Sequence, residues 1–128
     1  MAKKIILVDD SSTVLMTAQM ALENLVNSGD IELTVYENPE IVLEDVKGGL
    51  VYDLCITDIN MPQMSGFDLA SALKQVSSVK SKPIIALTTE NSPAMKAKGK
   101  SIGLVGWLTK PFTNDKLVMA IKRILRLR

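Results

Sequence analysis

Ile5-Ile6-Leu7-Val8-Asp9-Asp10 is the most informative segment for predicting the fold, because a short apolar run ends there at two acidic residues. Short apolar runs bounded by polar residues are typical of buried strands in a parallel sheet. Three later stretches have the same form: Leu54-Cys55-Ile56-Thr57 before Asp58, Ile84-Ile85-Ala86-Leu87 before Thr88-Thr89, and Leu104-Val105-Gly106-Trp107-Leu108-Thr109 before Lys110-Pro111. Parallel strands point the same way, so their carboxyl ends meet at one edge of the sheet, where open α/β sheets bind ligands. The pattern predicts that carboxylates, a hydroxyl and an ammonium from four distant segments converge at this edge.

Helical and strand patterns alternate along the rest of the chain, which predicts an α/β fold with helices on both faces of a parallel sheet. The fourth predicted helix, within residues 93–101, contains Gly99 and few large apolar residues, so we expect it to be weakly packed and mobile. The five predicted strands lie at residues 4–8, at 32–36, up to Asp58, at 84–87 and at 105–109. The five predicted helices lie at residues 12–26, 39–47 and 66–76, within 93–101, and from 114 to near the end.

Length and composition limit the kind of protein. The 128 residues, 47% of them hydrophobic, suffice for one core, so we expect a single domain over residues 1–128. A net charge of +1 provides no overall field for nucleic acid or an anionic membrane. No apolar run approaches the ~20 residues of a membrane span, and the one cysteine, Cys55, excludes an internal disulfide. These features predict a cytoplasmic protein that binds neither nucleic acid nor membrane.

Asp9, Asp10 and Asp58 cannot lie together as free carboxylates, because two unit charges ~4 Å apart repel by roughly 4 kcal/mol at a surface-like dielectric. Either one of them is protonated or a cation lies among them. The chain has no histidine, and Cys55 lies inside an apolar run, so these residues do not suit zinc or a soft metal. Hard oxygen ligands favour Mg²⁺, Mn²⁺ or Ca²⁺. Carboxylates completed by a carbonyl and water are typical of Mg²⁺.

Lys110 and Thr88 would complete a site for phosphoryl chemistry. A cation on one side, the Lys110 ammonium on another and the Thr88 hydroxyl as a donor could hold the oxygens of a phosphoryl group. An aspartate carboxylate can itself be the nucleophile and form an aspartyl-phosphate. Simpler interpretations exist for each residue: Asp9-Asp10 as a solvated turn or a helix cap, Lys110 as a surface lysine, and Thr88 as the end of a strand. Their occurrence together at strand ends favours the site.

This combination of motifs resembles the receiver domain of two-component response regulators. Each piece is unspecific alone, but their order and spacing are specific and span essentially the whole chain. The resemblance implies a flavodoxin-like, doubly wound sheet of five parallel strands in the order 2-1-3-4-5. It also implies a cis peptide bond between Lys110 and Pro111. The residues that carry the resemblance are Val8-Asp9-Asp10-Ser11, Thr57-Asp58-Ile59-Asn60-Met61-Pro62-Gln63-Met64-Ser65-Gly66, Thr88 and Lys110-Pro111-Phe112.

The resemblance also implies a role for each residue of the site. Asp58 would be the phosphoacceptor, Thr88 would bind a phosphoryl oxygen, and Lys110 would pair with the phosphate. The Mg²⁺ cofactor would be held by Asp10, Asp58 and the backbone carbonyl of Asn60, with Asp9 acting largely through water.

Trp107, the one tryptophan of the chain, lies three residues before Lys110 and has two interpretations. It could be a half-buried amphipathic aromatic on an edge strand. The resemblance instead implies a switch formed by Thr88 and Trp107, in which the inward or outward rotamer of the aromatic reports contact between Thr88 and phosphate. Many chemotaxis members carry Tyr at this position, and Trp is larger and lacks the hydroxyl. Whether Trp107 swings on activation stays open at this level.

In function, the resemblance implies a stand-alone receiver that accepts phosphate from a histidine kinase and then switches its binding to a partner protein. Its chemistry would be limited to its own phosphotransfer and dephosphorylation, so we do not expect an enzyme. With no effector domain in these 128 residues, the output would be a protein contact. That favours chemotaxis with a flagellar switch protein as the target, and leaves a phosphate shuttle or an adaptor in another pathway as an alternative.

The partner surface would be the face formed by the fourth helix, the fifth strand and the fifth helix of a monomer. Taken as a patch, the basic side chains on this face would suit an acidic partner helix or a dimer, although a solvated face explains each residue taken singly slightly better. These side chains are Lys96, Lys98, Lys100, Lys122, Arg123 and Arg126.

Two other functions use related features. A carboxylate-nucleophile phosphatase of the haloacid-dehalogenase type needs Asp-x-Asp at its first strand end and a cap domain, whereas this chain has adjacent Asp9-Asp10. A flavin carrier on the same fold needs a glycine-containing phosphate loop. Ser11-Ser12-Thr13 contains no glycine, and Asp9-Asp10 would repel the flavin phosphate. The residues therefore favour the receiver over both alternatives.

Overall fold

The computed structural model describes residues 2–128, and these residues form five strands and six helices. The alternation of strands and helices confirms the predicted α/β class. The strands are β1 (Lys3–Val8), β2 (Ile31–Tyr36), β3 (Leu54–Thr57), β4 (Ile84–Thr88) and β5 (Gly106–Thr109). The helices are α1 (Ser12–Ala21), α2 (Glu23–Asn27), α3 (Pro39–Lys47), α4 (Gly66–Leu73), α5 (Pro93–Ile102) and α6 (Asn114–Leu125).

The sheet is parallel throughout the described residues, and its strand order is β2-β1-β3-β4-β5, as predicted. Val8, at the end of β1, pairs with Tyr36 on one side and with Thr57 on the other. Thr88, at the end of β4, pairs with Thr109 of β5. The strand ends are therefore aligned, and the residues that follow them lie along one edge. This is the flavodoxin-like, doubly wound arrangement that the resemblance implied.

Apolar side chains of the strands alternate between two cores, one on each face of the sheet. Ile6 and Val8 of β1 pack with residues of α3, α4 and α5. Ile5 and Leu7 of the same strand pack with residues of α1, α2 and α6. Because both faces are covered, the central strands are apolar at successive positions and not at alternate ones. Among residues 2–128, no helix is long and apolar enough to cross a lipid bilayer.

Side chains of small polar residues begin the longer helices. Ser11 accepts a hydrogen bond from the backbone N–H of Val14 and so caps α1. Such caps satisfy N–H groups that have no partner within the helix. The same role is taken by Asn38, Ser65, Ser92 and Thr113.

The predicted helix over residues 12–26 is wrong in one respect, because the backbone leaves helical geometry at Leu22 (φ −100°, ψ 4°) and divides it into α1 and α2. Hydrogen bonds from Leu22 N to Ala18 O and from Val26 N to Leu22 O run across the break, so it is a local bend. The bend lies in a segment without glycine or proline, so the sequence carries no signal for it. The predicted helix over 66–76 is also too long, since α4 ends at Leu73 and continues as tight i→i+3 turns to Val76.

α5 has the sparse packing that its composition predicted. Of its ten residues, all within the described part of the chain, Gly99 alone is buried. The helix ends at Gly103, whose φ of 110° is in the left-handed region that glycine tolerates. The neighbouring strand begins at Gly106, one residue later than predicted, and Val105 before it is 60% exposed.

The near-neutral net charge conceals a strong segregation of charge along the sheet. Residues 23–53, which include α2, β2 and α3, contain eight acidic side chains and one lysine, a net charge of −7. Residues 74–128, which include β4, α5, β5 and α6, contain twelve basic and two acidic side chains, a net charge of +10. Since β2 and β5 are opposite edges of the sheet, one end of the molecule is acidic and the other basic.

Candidate functional site

Three carboxylates meet at the carboxyl ends of the two neighbouring strands β1 and β3. Ligand oxygens of Asp9, Asp10 and Asp58 all lie within 4.8 Å of one another. Asp9 is 1% exposed and Asp58 is 7% exposed, whereas Asp10 faces solvent. The predicted convergence of the three residues is therefore observed. Because one carboxylate is exposed, a ligand can reach the cluster from solvent, while the oxygens of the two buried carboxylates are held by the protein.

Lys110 reaches this cluster from the end of β5, two strands away. Its Nζ atom lies 2.6 Å from Asp9 Oδ2 and 3.2 Å from Asp58 Oδ2, and its side chain is 12% exposed. The backbone N–H of Lys110 donates to the carbonyl oxygen of Thr88, which ties this residue to the end of β4. The peptide bond between Lys110 and Pro111 is cis, as predicted. One ammonium thus bridges the two buried carboxylates.

Burial raises the pKa of Asp9 above its ordinary value of 3.8. Hydrogen bonds from Lys110 and from the backbone N–H of Ser11 act in the opposite direction, but they do not offset the loss of solvation. The folded protein therefore holds this proton more tightly than the unfolded chain does. By linkage, the contribution of Asp9 to stability falls as pH rises from 3.8 through the folded pKa and stays unfavourable above it.

Replacing Asp9 with Asn is expected to raise the free energy of unfolding by about 1 kcal/mol at pH 7 without Mg²⁺, since the change removes a buried charge. The gain should vanish at a pH below 3.8. Asp10→Asn should give a smaller gain, because Asp10 is exposed. Urea unfolding of the three proteins over a pH series measures both effects. A less stable Asp9→Asn protein at pH 7 would show that the ion pair with Lys110 outweighs the burial of the charge.

The donor set fits a hard divalent cation. Carboxylate oxygens from three residues, one of them open to solvent, are the ligands that Mg²⁺ prefers, and it commonly keeps several waters. Neither a thiol nor an imidazole is near, since Cys55 is buried in the core and the chain has no histidine. A cation here would also relieve the repulsion that one lysine leaves uncompensated.

The loop after β3 is shaped by Gly66. Asp58 Oδ1 accepts a hydrogen bond from the N–H of Ile59, and the N–H of Gly66 donates to the carbonyl of Ile59. A Cβ atom on Gly66 would lie 2.1 Å from the backbone oxygen of Asp58, so only glycine fits there. From sequence, Gly66 was predicted to belong to the motif and to start a helix, but its role in shaping the loop around Asp58 was not predicted.

Thr88, Asn60 and Trp107 are connected through a residue that the sequence analysis missed, Glu90. The backbone N–H of Glu90 donates to Thr88 Oγ1 at 3.3 Å, and Asn60 Nδ2 donates to Glu90 Oε1 at 2.8 Å. The Nε1–H of Trp107 donates to the backbone carbonyl of Glu90 at 2.9 Å. A single glutamate in a polar loop carries no sequence signal, because its role depends on three partners from other segments.

The structure tests the simpler of the two interpretations of Trp107, and the switch stays a prediction. It is half-buried on the edge strand β5, as the simpler interpretation stated. Its ring also packs 6.3 Å from that of Phe67 in α4, and its N–H reaches the loop that follows Thr88. The side chain is therefore placed where a switch between Thr88 and β5 would need it, while its motion stays a prediction.

The fold and this arrangement of residues match a known class of signalling domain. A family model described as the response regulator receiver domain matches residues 5–122. The chain belongs to this family of two-component signalling domains, which confirms the resemblance. Nothing in the match supports the haloacid-dehalogenase-type phosphatase.

Relatives and solved structures agree with this assignment. Protein PilG of Pseudomonas aeruginosa is 31% identical over 121 residues, covering 93% of this chain and 84% of PilG. Chemotaxis protein CheY1 of Helicobacter pylori is 31% identical over 122 residues, covering 95% of this chain and 96% of CheY1. The structure of chemotaxis response regulator CheY4 of Vibrio cholerae is 33% identical with a TM-score of 0.86, covering 97% and 99% of the two chains. The chain spans about half or less of several other curated relatives.

Proposed function

We propose that residues 1–128 form a receiver that accepts a phosphoryl group from a histidine kinase on Asp58 and then changes its affinity for a partner protein. The observation that carries the proposal is the Lys110 ammonium, which lies within hydrogen-bonding distance of Asp58 in a cluster of three carboxylates. Asp9 and Asp58 are both paired with Lys110, and both accept a hydrogen bond from a nearby backbone N–H. Asp9 is 1% exposed, whereas Asp58 is 7% exposed and is the one of the two that keeps some access from solvent. Asp58 is therefore placed as the nucleophile.

Mg²⁺ is the cofactor we propose, held by Asp10, Asp58 and the Asn60 carbonyl, with Asp9 acting largely through water. When bound, it would neutralise charge between the carboxylates and the phosphoryl oxygens. Lys110 would move its contact from the Asp58 carboxylate to a phosphoryl oxygen, which requires little displacement from its position between the two buried acids.

The switch we propose runs from Thr88 to Trp107. A phosphoryl group adds roughly −1.5 to −2 charges and three acceptor oxygens. Thr88 would donate its hydroxyl to one of these oxygens, while its Oγ1 now accepts from the N–H of Glu90. Any movement of Thr88 therefore acts on Glu90, and Glu90 is bonded to the indole of Trp107. Phosphate would shift an equilibrium between two arrangements of these residues through its different contacts in each.

The output face we propose consists of α5, β5 and α6. β5 is an edge strand, and clefts of about 350 and 210 Å³ lie along it. Lys96, Lys100 and Trp107 line the first cleft, and Arg123 and Ile124 line the second. The positive charge of this end of the molecule would steer an acidic partner toward it. The partner in this proposal is an acidic protein segment that rests on the apolar floor of these clefts.

The pathway we propose is chemotaxis, with a flagellar switch protein as the target. The support is the similarity over nearly their whole length to relatives that are named as chemotaxis proteins. We place the protein in the cytoplasm as a monomer that binds neither nucleic acid nor membrane, in keeping with a kinase and a target on the inner side of the membrane.

The test is a binding measurement on the immobilised chain with a purified flagellar switch protein. We expect binding to strengthen at least about tenfold when Mg²⁺ and beryllofluoride, a phosphoryl mimic, are added, which corresponds to a shift of about 1.4 kcal/mol. Asp58→Asn should remove the increase. Lys100→Glu with Arg123→Glu should weaken binding in both states, whereas Lys47→Glu on the opposite edge is the matched control. Equal affinity with and without the mimic would contradict the proposed output.

A further inference from the structure

We propose that Gly99 of α5 is a positioning residue for Trp107. Because Gly99 has no side chain, the Trp107 indole fits against α5, and from there it holds the β4–α5 loop beside Thr88. Trp107 belongs to β5, and its ring lies between α4 and α5. On the α4 side, the Phe67 ring is 6.3 Å away at an interplanar angle of 35°, and Lys98 of α5 covers Phe67 with its Nζ atom 4.8 Å from the ring centroid. On the α5 side, the indole meets Gly99. The indole is thus enclosed from two sides by two helices.

The contact at Gly99 leaves no room for a side chain. A Cβ atom there would lie 3.0 Å from Cζ3 and 3.3 Å from Cε3 of Trp107, and 3.0 Å from Cδ1 of Leu104. These distances are tighter than ordinary van der Waals contact, so the indole and Leu104 would both have to move. Glycine in a helix interior is unfavourable relative to alanine, and Gly99 has no positive φ that would require it. Space for the indole is the packing reason for this glycine.

The position of the indole determines a hydrogen bond to the switch loop. The Nε1–H of Trp107 is the one polar group of this side chain, and it donates to the Glu90 carbonyl at 2.9 Å. The backbone N–H of Glu90 donates to Thr88 Oγ1 at 3.3 Å. If the indole were displaced, its hydrogen bond to the Glu90 carbonyl would break. The loop would then lose a contact that fixes it two residues from Thr88. Gly99 therefore acts on Thr88 through Trp107 and Glu90.

Gly99 and Trp107 are a matched pair, because their sizes are complementary. The large ring needs a residue without a side chain opposite it, and the helix that supplies the glycine is the sparsely packed α5 of the output face. The importance of the pair for signalling rests on the proposed function, because only then does Thr88 respond to phosphate. The packing and the hydrogen bond exist without phosphate, so the pair can be tested by itself.

The test compares the full-length chain with its Gly99→Ala variant, without Mg²⁺, phosphodonor or mimic. We expect Trp107 emission to move to longer wavelength in Gly99→Ala, because the indole is pushed toward solvent. Hydrogen exchange of the indole N–H should accelerate about fivefold or more, in line with the loss of a hydrogen bond. The Tm should fall, although alanine is the better helix former.

Two further variants separate positioning from helix stability. Ala97→Gly, at an exposed position of the same helix, should lower the Tm and leave emission and indole exchange as they are in the wild type. In a Trp107→Tyr background, where the ring is smaller, Gly99→Ala should raise the Tm instead of lowering it. This reversal of sign is the signature of a matched pair and not of an ordinary glycine.

Unchanged emission and unchanged indole exchange in Gly99→Ala would overturn the proposal. So would a Tm that rises equally with Trp107 and with Tyr at that position. Since no phosphoryl group is present in any of these measurements, a failed assignment of Asp58 as phosphoacceptor would leave their outcome unaffected. If Gly99 did not position Trp107, the proposed phosphorylation of Asp58 would likewise be unaffected.

Discussion

Replacing Asp58 with Asn is expected to abolish labelling of the chain by a small activated phosphodonor in the presence of Mg²⁺. Asp58 Oδ1 accepts the N–H of Ile59 and Oδ2 is paired with Lys110 at 3.2 Å, so we expect Oδ2 to be the attacking oxygen once Lys110 moves its contact to the phosphoryl group. An amide lacks the negative charge that attacks phosphorus and holds the cation. Labelling is measured by mass spectrometry of the intact chain, and the label should be lost in alkali because an acyl phosphate is labile.

The matched control is Asp68→Asn, which makes the same chemical change at an exposed position of α4 outside the cluster. It should leave the extent of labelling unchanged. A label that survives in Asp58→Asn, or one that is stable to alkali, would show that another residue accepts the phosphoryl group. Asp9 and Asp10 would then be the next candidates, since their oxygens share the cluster.

Gly66→Ala is expected to lower the free energy of unfolding by about 3 kcal/mol, the upper range for overpacking a buried position. The added Cβ would lie 2.1 Å from the backbone oxygen of Asp58 and 3.0 Å from Cα of Ile59. Both neighbours are backbone atoms, so the clash cannot be relieved by a side-chain rotation. The loop must shift, and Asp58 must shift with it. Urea unfolding measures the loss of stability, and the rate of labelling by phosphodonor measures the displacement.

Gly48→Ala is the matched control for this change, because Gly48 ends α3 with an ordinary φ of −82° and its added Cβ would meet the nearest atom at 3.3 Å. Its effect should stay within about 0.5 kcal/mol, and its labelling rate should be that of the wild type. A Gly66→Ala protein as stable as Gly48→Ala would mean that the loop after β3 is more pliable than its contacts indicate.

The elements that could be predicted from sequence are those with strong local signals. Four apolar runs identified β1, β3, β4 and β5 within a residue or so, and the helix predicted over residues 39–47 is observed with those bounds as α3. The bend at Leu22 and the early end of α4 were missed, because neither place has a glycine or proline to mark it. Strand order came from the resemblance, since periodicity alone does not say which strands are neighbours.

For the site, sequence supplied the residue types and their places at strand ends. Asp9, Asp10 and Asp58 were predicted to meet and do so. Glu90 was missed, because hydrogen bonds to Thr88, Asn60 and Trp107 give it a role that its own neighbours in sequence do not indicate. A glutamate in a polar loop is compatible with any function, so the residue type alone did not indicate this role.

The chemistry at the sheet edge could be predicted from the sequence: carboxylates after two strands, a hydroxyl at the end of a third and a lysine after a fourth. Those are properties of short segments, where apolar runs and polar boundaries are read directly. The tertiary structure alone decided which groups touch. Lys110 meets an acid 101 positions away, and the indole of Trp107 rests on Gly99. It also turned a net charge of +1 into an acidic edge and a basic edge. Such distances depend on how separate elements pack, and packing is a property of the whole chain.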